Sequence, residues 1–208
     1  MALTGEYYLG ARQGTWKYYH PNGLISELGK FENNRRTGNW KTFSDKGGLI
    51  AEGYYILDLE AGQWFNYYDN GSLESIGSFK NGEKDGLWGY FHKNSKPMYE
   101  ETWQQGKLMS LTDFTDENGE VHSSGNLKNG LGLRINYTVN GTKYSEGPYK
   151  SGQPNGKWTF FDEKERKLMD GELVNGVKQV NWMIKAKSVR VIRVEQITNG
   201  ELVVSYIR

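Results

Sequence analysis

The hydrophobic pattern of the chain repeats every 24 residues. One position of the repeat holds tryptophan in the first four copies and resumes after one degenerate copy, giving the column Trp16, Trp40, Trp64, Trp88, Arg134, Trp158, Trp182 and Tyr206. In the first four copies a glycine lies two residues before the tryptophan and an aromatic residue three after it. A fixed period of this length is typical of arrays in which each copy is one supersecondary unit.

Each copy of the repeat contains two kinds of turn. The first often reads Asn-Gly, as at Asn22-Gly23, which is typical of a tight hairpin. The second is marked by residues that tolerate a left-handed backbone: Gly10, Asn34, Asp58, Gly82, Gly106, Gly130, Gly152 and Gly176. Two short strands and two reversals per copy predict an all-β fold, an elongated single-layer antiparallel meander of about eight β-hairpin repeats.

The turns also predict how strands face one another. A two-residue loop at the first turn places Gly29 opposite Trp16, and a four-residue loop at 33–36 places Phe31 opposite Gly38. Glycines thus face aromatic rings on both sides, because a ring can lie across a neighbouring strand only where that strand lacks a Cβ. This explains why tryptophan and glycine share one period.

One face of the predicted sheet is apolar in every copy. Its column is Tyr7, Phe31, Tyr55, Phe79, Trp103, Leu127, Tyr149, Leu173 and Ile197, and it is predicted to form the core. The aromatic residue three after each tryptophan has an odd offset, so it points to the opposite face in a regular strand. Either the sheet carries rings on both faces or each copy contains a bulge.

Domain organisation follows from the continuity of the repeat. Residues 1–208 are predicted to form a single repeat domain, with repeats over about 5–183, an irregular seam at 93–134 and a C-terminal β cap at 184–208. In the seam, Thr112 stands in the tryptophan column and two residues are deleted further on. Sequence drift and a functional notch both remain open as explanations of the seam.

The composition of the chain excludes several classes of function. The mean hydropathy is -0.76 and no cysteine occurs, which excludes disulfides and thiolate chemistry. A net charge of +1 gives no field that would attract nucleic acid. No apolar run is long enough for a transmembrane segment, although peripheral membrane or envelope association stays open. Because Gly5 already lies inside a repeat, an upstream signal or lipidated segment is an expectation, and the localisation is unknown, cytoplasmic by default.

Catalytic and metal-binding patterns are weak. His20 and His92 share a column but lie three repeats apart, which at two strands per repeat is roughly 29 Å, so they cannot share a metal. Asp113, Asp116 and Glu117 form an acidic cluster on a turn-rich segment without an apolar pocket to raise a pKa. No Gly-x-Ser-x-Gly or Walker motif occurs. The chain is therefore predicted to be no enzyme and to use no cofactor or metal.

The motif Gly-x-Trp-x-x-Tyr-x-x-Asn-Gly, followed by Gly-x-Phe-x-x-Gly-x-x-x-Gly, resembles the MORN repeat family, in particular its bacterial variant often labelled antitoxin-like. The resemblance covers roughly residues 5–183, and the chain departs from it in copy five and in the valine-rich tail. It implies an extended sheet of hairpins that serves as a scaffold for protein contacts or, in eukaryotic relatives, for membrane association.

These observations predict a non-catalytic protein-binding or scaffold protein that presents an aromatic β-sheet surface. The alternatives are a toxin-neutralising module and a carbohydrate- or envelope-binding surface; the oligomeric state is left open. The first candidate surface, the aromatic stripe with its neighbours, comprises Trp16, Lys17, Phe31, Trp40, Lys41, Tyr55, Trp64, Asn66, Phe79 and Trp88. The second is the seam site, made of Asp113, Asp116, Glu117 and Arg134.

Overall fold

The computed structural model describes residues 2–179, 183–184, 192–198 and 201–206. All regular structure in these residues is β, with no helix among them. The chain forms two compact units, Met1–Gly106 and Lys107–Arg208. The single repeat domain over 1–208 stays a prediction.

The first unit is a long antiparallel meander of consecutive hairpins, so the predicted fold class is confirmed. Each strand pairs with the next one along the chain. The strands are β1 (Ala2–Tyr8), β2 (Ala11–Tyr19), β3 (Ile25–Glu32), β4 (Arg35–Phe43), β5 (Leu49–Ile56), β6 (Leu59–Tyr67), β7 (Leu73–Lys80), β8 (Glu83–Phe91) and β9 (Pro97–Gln104).

The second unit is antiparallel but less regular. Its strands are β10 (Lys107–Leu111), β11 (Phe114–Thr115), β12 (Val121–His122), β13 (Gly132–Tyr137), β14 (Lys143–Lys150), β15 (Gln153–Pro154), β16 (Gly156–Phe161), β17 (Lys167–Val174), β18 (Val177–Lys178), β19 (Met183–Ile184), β20 (Ile192–Thr198) and β21 (Glu201–Tyr206). The order β13-β14-β16-β17-β18 forms its main sheet, β15 pairs with β14, and β19 pairs with β17. The strands β11 and β12 form a separate pair, as do β20 and β21. The predicted cap therefore contains a hairpin, while its capping role stays a prediction.

The first turn is one residue longer than predicted. The His20 N–H donates to the Leu24 carbonyl at 2.8 Å, which leaves a three-residue loop whose last residue, Gly23, has φ +86°. The loop is followed by a bulge, so Gly29 still pairs with Trp16 as predicted. Loop and bulge together are the usual three-residue hairpin connection. The extra residue of this bulge, Ser26, lies on β3, so β2 stays regular from Trp16 to Tyr19. The odd offset therefore places Tyr19 on the face opposite the indole, and the sheet carries rings on both faces.

The second turn is shorter than predicted, and the four-residue loop at 33–36 is wrong. Asn33 and Asn34 both have positive φ, 50° and 67°, which is the backbone of a two-residue hairpin loop. Phe31 consequently pairs with Arg36, and its predicted pairing with Gly38 is wrong. Gly38, at φ +69°, lies instead in a bulge that restores the register further along β4.

A backbone hydrogen bond from the second turn links each copy to the one before it. The N–H of Asn34 donates to the carbonyl of Arg12 at 3.1 Å. The same bond recurs from Asp58, Gly82, Gly106, Gly152 and Gly176 to the carbonyls of Arg36, Glu60, Lys84, Gly130 and Pro154. The left-handed backbone at these positions turns the N–H toward the previous copy, which is why Gly, Asn or Asp occupies them.

In the core of the first unit each tryptophan ring of the repeated column lies over a glycine of the preceding strand, and we call this glycine its seat. A Cβ built on Gly29 would lie 2.1 Å from Cδ2 of Trp40, so only glycine leaves room for that indole. The same relation holds for Gly5 with Trp16, Gly53 with Trp64, Gly77 with Trp88 and, in the second unit, Gly147 with Trp158. The predicted reason for the shared period of glycine and tryptophan is therefore confirmed.

Strand pleating gives the first unit two distinct faces. The indole face carries the seated tryptophans and the apolar column with Phe31 and Tyr55. The lysine face carries Lys17, Lys41 and every second residue along the same strands, since neighbouring side chains alternate between faces.

Candidate functional site

The rings of the aromatic stripe form a packed ladder. Successive rings meet nearly edge to face, with centroids 5.9 Å apart between Trp16 and Phe31 and 5.1 Å apart between Phe31 and Trp40. The ladder continues through Tyr55, Trp64, Phe79 and Trp88. Five of these rings are buried, while Trp64 and Phe79 are half-buried. The stripe is thus mainly core, and contact of a partner with its rings stays a prediction.

Basic side chains cover the ladder on the indole face. The guanidinium of Arg12 lies 3.9 Å from the ring centroid of Phe31, and that of Arg36 lies 4.2 Å from the ring of Tyr55. The ammonium of Lys84 lies 4.4 Å from the ring of Trp88. Cation–π contacts of this kind shield the ring faces from water. Sequence reasoning missed these residues, although a basic residue four before the tryptophan was the available signal.

Polar atoms within the ladder are paired. The Tyr55 hydroxyl donates to Oε1 of Glu60 at 3.1 Å and accepts a bond from Arg36 at 3.1 Å. Burial raises the pKa of Tyr55 to about 12, and Glu60 adds to the rise while Arg36 opposes it. The phenol is therefore neutral at ordinary pH and has a structural role.

Lys17 and Lys41 lie on the lysine face and are exposed, whereas the half-buried Asn66 lies on the indole face. The Asn66 amide donates to the hydroxyl of Ser75 at 2.8 Å, so Asn66 is a structural residue. The ammonium of Lys41 lies 3.0 Å from Oε2 of Glu52. Hydrogen bonds from Lys41, which has the largest effect, and from Tyr67 hold the pKa of Glu52 below its usual range. Burial acts in the opposite direction but has a smaller effect. The structure thus separates three residues that the sequence analysis grouped together.

The lysine face carries an exposed apolar cluster that the sequence analysis missed. This apolar hairpin consists of Tyr54, Ile56, Leu57 and Leu59, which are 43%, 54%, 52% and 47% exposed. The same repeat positions in the neighbouring copies hold Lys30, Glu32, Asn33 and Arg35 on one side and Ser78, Lys80, Asn81 and Glu83 on the other. Comparing copies column by column, instead of following only the apolar columns, would have revealed it.

The seam site divides into exposed and buried residues. Asp113 and Glu117 are exposed, and Oδ1 of Asp113 accepts the Ser124 N–H at 3.1 Å. Asp116 and Arg134 are buried, at 3% and 6% exposure. The Arg134 Nε–H donates to the side-chain oxygen of Asn136 at 2.6 Å. Half of the predicted seam site therefore belongs to the interior of the second unit.

Asp116 caps a hairpin turn. Its Oδ1 accepts the N–H groups of Asn118 and Glu120, both at 2.9 Å, and its Oδ2 lies 3.2 Å from Nε2 of His122. Burial by itself raises the pKa of Asp116, but the bonds from His122 and from the backbone N–H groups outweigh it, so the pKa lies below its usual range.

The ligand atoms of Asp116, Glu120 and His122 lie within 4.8 Å of one another, a grouping that the sequence analysis did not foresee. Their oxygen and nitrogen atoms are of types that bind divalent cations. Both carboxylate oxygens of Asp116 already serve the turn, however, and Asp162 caps its own turn in the same way. The arrangement is thus explained by turn geometry.

The repeat unit now has a defined geometry, a tryptophan strand followed by a Gly-x-aromatic strand. A family model described as the MORN repeat variant matches residues 12–33 and 61–81, which correspond to this unit in the first and third copies. The chain therefore contains MORN repeats at these two stretches. MORN repeats form a non-enzymatic β scaffold that often binds proteins or membranes. No curated protein matches the chain. Among the described residues, no helix is long and apolar enough to cross a bilayer.

Proposed function

We propose that the chain is a non-catalytic scaffold that binds a protein partner on the lysine face of its first unit. The observation that carries the proposal is the apolar hairpin, where four exposed apolar side chains replace the mostly polar and charged ones of the neighbouring copies. Contiguous exposed apolar side chains with a polar rim are typical of protein interaction surfaces.

The indole face is less suited to be the main contact surface. Its large rings are mostly buried, and those of Phe31, Tyr55 and Trp88 have cations against them. The same burial weakens the carbohydrate alternative, since sugar-binding rings need an accessible face. A toxin remains one class of protein that the apolar hairpin would fit, and the bacterial antitoxin-like assignment is a particular case of the present proposal.

Affinity capture from the source cell followed by mass spectrometry tests the proposal. We expect a protein captured by the parent chain to be lost when Ile56→Glu and Leu59→Glu are combined. The matched control is Val121→Glu, an equally drastic change at a residue that is 67% exposed in the second unit. Circular dichroism checks that all variants fold.

Two other capture results would contradict binding at the apolar hairpin. Capture that survives Ile56→Glu with Leu59→Glu, but is lost on charge reversal at Asp113 and Glu117, would place the partner at the seam site. If capture depends on none of these residues, the partner binds neither at the apolar hairpin nor at the seam site.

A further inference from the structure

One strand of the first unit, β6, carries no charge on the lysine face. Because Trp64 points to the indole face, alternation and strand pairing give β6 the lysine-face residues Leu59, Ala61, Gln63, Phe65 and Tyr67. Each of the strands β2–β5 and β7–β9 places at least one charged side chain on that face: Lys17, Lys30, Arg35, Glu52, Lys80, Glu83 and Glu100. The uncharged centre of the lysine face therefore runs along β6.

The charges on the two sides of β6 have opposite signs. Two strands before β6, β4 carries Arg35 and Lys41 on the lysine face and no acidic residue there. Two strands after β6, β8 carries Glu83 and Asp85 on the same face and no basic residue there. At about 4.8 Å per strand, these two charged strands lie roughly 10 Å to either side of β6.

Arg35 and Glu83 lie at the same level of the sheet as Leu59. The three residues are spaced by one repeat of 24, and each begins its strand after the second turn. Arg35 and Glu83 are exposed, and neither forms an ion pair within the part of the chain that the structure describes. A half-turn about an axis along β6 exchanges the positions of these two opposite charges, so the face is complementary to itself.

We propose that the lysine face binds a second copy of this chain, in a symmetric dimer whose two-fold axis runs along β6. This inference rests on the proposed function and names its partner. The two sheets pack face to face, with Leu59 of one copy on Leu59 of the other. Arg35 of each copy lies against Glu83 of the other, so the dimer contains this ion pair twice. Lys80 of each copy lies over Ile56 of the other, where its aliphatic stem covers the apolar side chain.

The strands from β4 to β8 supply a surface of suitable size. They are eight or nine residues long, so five strands at about 4.8 Å and about 3.3 Å per residue give a footprint of roughly 700 Å² per copy. A standard interface buries about 800 Å² per partner. The footprint includes Tyr54, Ile56 and Leu59, which are 43%, 54% and 47% exposed. Dimerisation would thus remove the apolar hairpin from water.

The opposite signs of β4 and β8 favour a second copy over a partner of uniform charge. A uniformly acidic partner would be repelled by Glu83 and Asp85, and a uniformly basic one by Arg35 and Lys41. A second copy in the proposed orientation places the acidic strand of each chain on the basic strand of the other.

Sedimentation velocity on the purified full chain over a dilution series tests the dimer. We expect a reversible equilibrium between monomer and dimer. Leu59→Glu should raise the Kd of the dimer at least about 100-fold, because two carboxylates would meet in the apolar centre. Val121→Glu is the matched control, since Val121 is 67% exposed and lies in the second unit. This control should leave the Kd unchanged.

Charge reversal tests the pairing of β4 with β8. Arg35→Glu and Glu83→Arg should each raise the Kd at least about tenfold, because each places like charges together at two points of a symmetric dimer. An equimolar mixture of these two variants should dimerise with a Kd within about threefold of the parent value, since opposite charges then meet again. Lys46→Glu is the control, because Lys46 is exposed in the turn beyond the other end of β4. Circular dichroism checks that each variant folds.

A chain that stays monomeric over the dilution series would overturn the proposal. A dimer that Leu59→Glu leaves intact, or a mixture of the charge-reversed variants that stays monomeric, would overturn it as well. If the chain is monomeric but captures a different protein through Ile56 and Leu59, the second copy is wrong and the proposed function stands. If the chain is monomeric and capture does not depend on these residues, both are wrong.

Discussion

The two units differ in how uniformly they fill the tryptophan position. In the first unit an indole lies over a glycine of the preceding strand in every such pair, as Trp40 does over Gly29. The second unit repeats this arrangement at Trp158 and Gly147, but in the preceding copy Arg134 takes the position, is 6% exposed and bonds to Asn136. The neighbouring glycine also changes role, since a Cβ on Gly125 would lie 2.2 Å from the Leu133 carbonyl oxygen and not against a ring. The same repeat frame is thus built from an apolar ladder or from a polar network.

The ring ladder and the polar network are sensitive to different kinds of substitution. The ladder depends on shape, because an indole fills the space that a missing Cβ leaves. The polar network depends on hydrogen bonding, because the amide of Asn136 also donates to Ser145 at 3.0 Å, which links three buried side chains. Removing one member of such a network leaves another member unsatisfied.

The largest expected effect comes from adding one methyl group under an indole. A Cβ at Gly53 would lie 2.1 Å from Cδ2 of Trp64, so Gly53→Ala should cost about 3 kcal/mol or more of unfolding free energy. Gly89→Ala is the matched control, because its nearest contact is 3.5 Å away in a comparable strand. Urea unfolding of both variants checks the difference, and equal stabilities would refute the glycine seats.

The next effect tests the polar network of the second unit. Arg134→Met keeps the volume but removes the donor to Asn136, which should cost about 2 kcal/mol because a buried acceptor loses its partner. Combining Arg134→Met with Asn136→Leu should cost less than the sum of the single changes. A double-mutant cycle by urea unfolding measures this coupling; strictly additive costs would contradict the network.

A smaller effect distinguishes two tryptophans of the same column. The Trp40 indole N–H donates to the Lys30 carbonyl at 3.2 Å, whereas the buried N–H of Trp158 meets no acceptor in the described part of the chain. Trp158→Phe removes an unsatisfied donor, while Trp40→Phe removes a hydrogen bond. Trp158→Phe should therefore cost about 1 to 2 kcal/mol less. Thermal or urea unfolding compares them, and an equal cost would show that the bond contributes nothing.

The smallest effect is the response to acid. Because the pKa of Asp116 is lowered in the folded state, its contribution is fully present above the unfolded pKa of about 4 and is lost as pH falls through the folded value. Asp116→Asn should lower stability at pH 7 and flatten the loss of stability below pH ~4. Melting temperatures across pH 3 to 7 check this, with the exposed Asp45→Asn as control. An unchanged acid profile would contradict the assignment.

The sequence predicted the repeat architecture well because its strongest signals are local or periodic. The left-handed turn positions and the glycine seats both leave fixed residues at fixed spacing. The loop lengths were mispredicted, since each copy contains compensating bulges: the first loop gained a residue and the second lost two, yet Trp16 still pairs with Gly29.

The candidate surfaces were harder to derive. Alternation along a strand assigns residues to faces but does not tell which face becomes buried, so the rings were grouped with Lys17 and Lys41 as one surface. Burial here results from the rings packing on one another under Arg12 and Arg36, a contact between strands. The apolar hairpin is visible only by comparing single positions between copies, because an exposed apolar residue breaks no period.

Each indole of the ladder needs the glycine beneath it. A double-mutant cycle of Gly53→Ala and Trp64→Ala, measured by urea unfolding, tests this most directly. If the contact at 2.1 Å is the cause, Gly53→Ala should cost almost nothing once the Trp64 ring is absent. If Gly53→Ala costs as much without the ring as with it, the glycine serves the backbone alone and the indole does not depend on it.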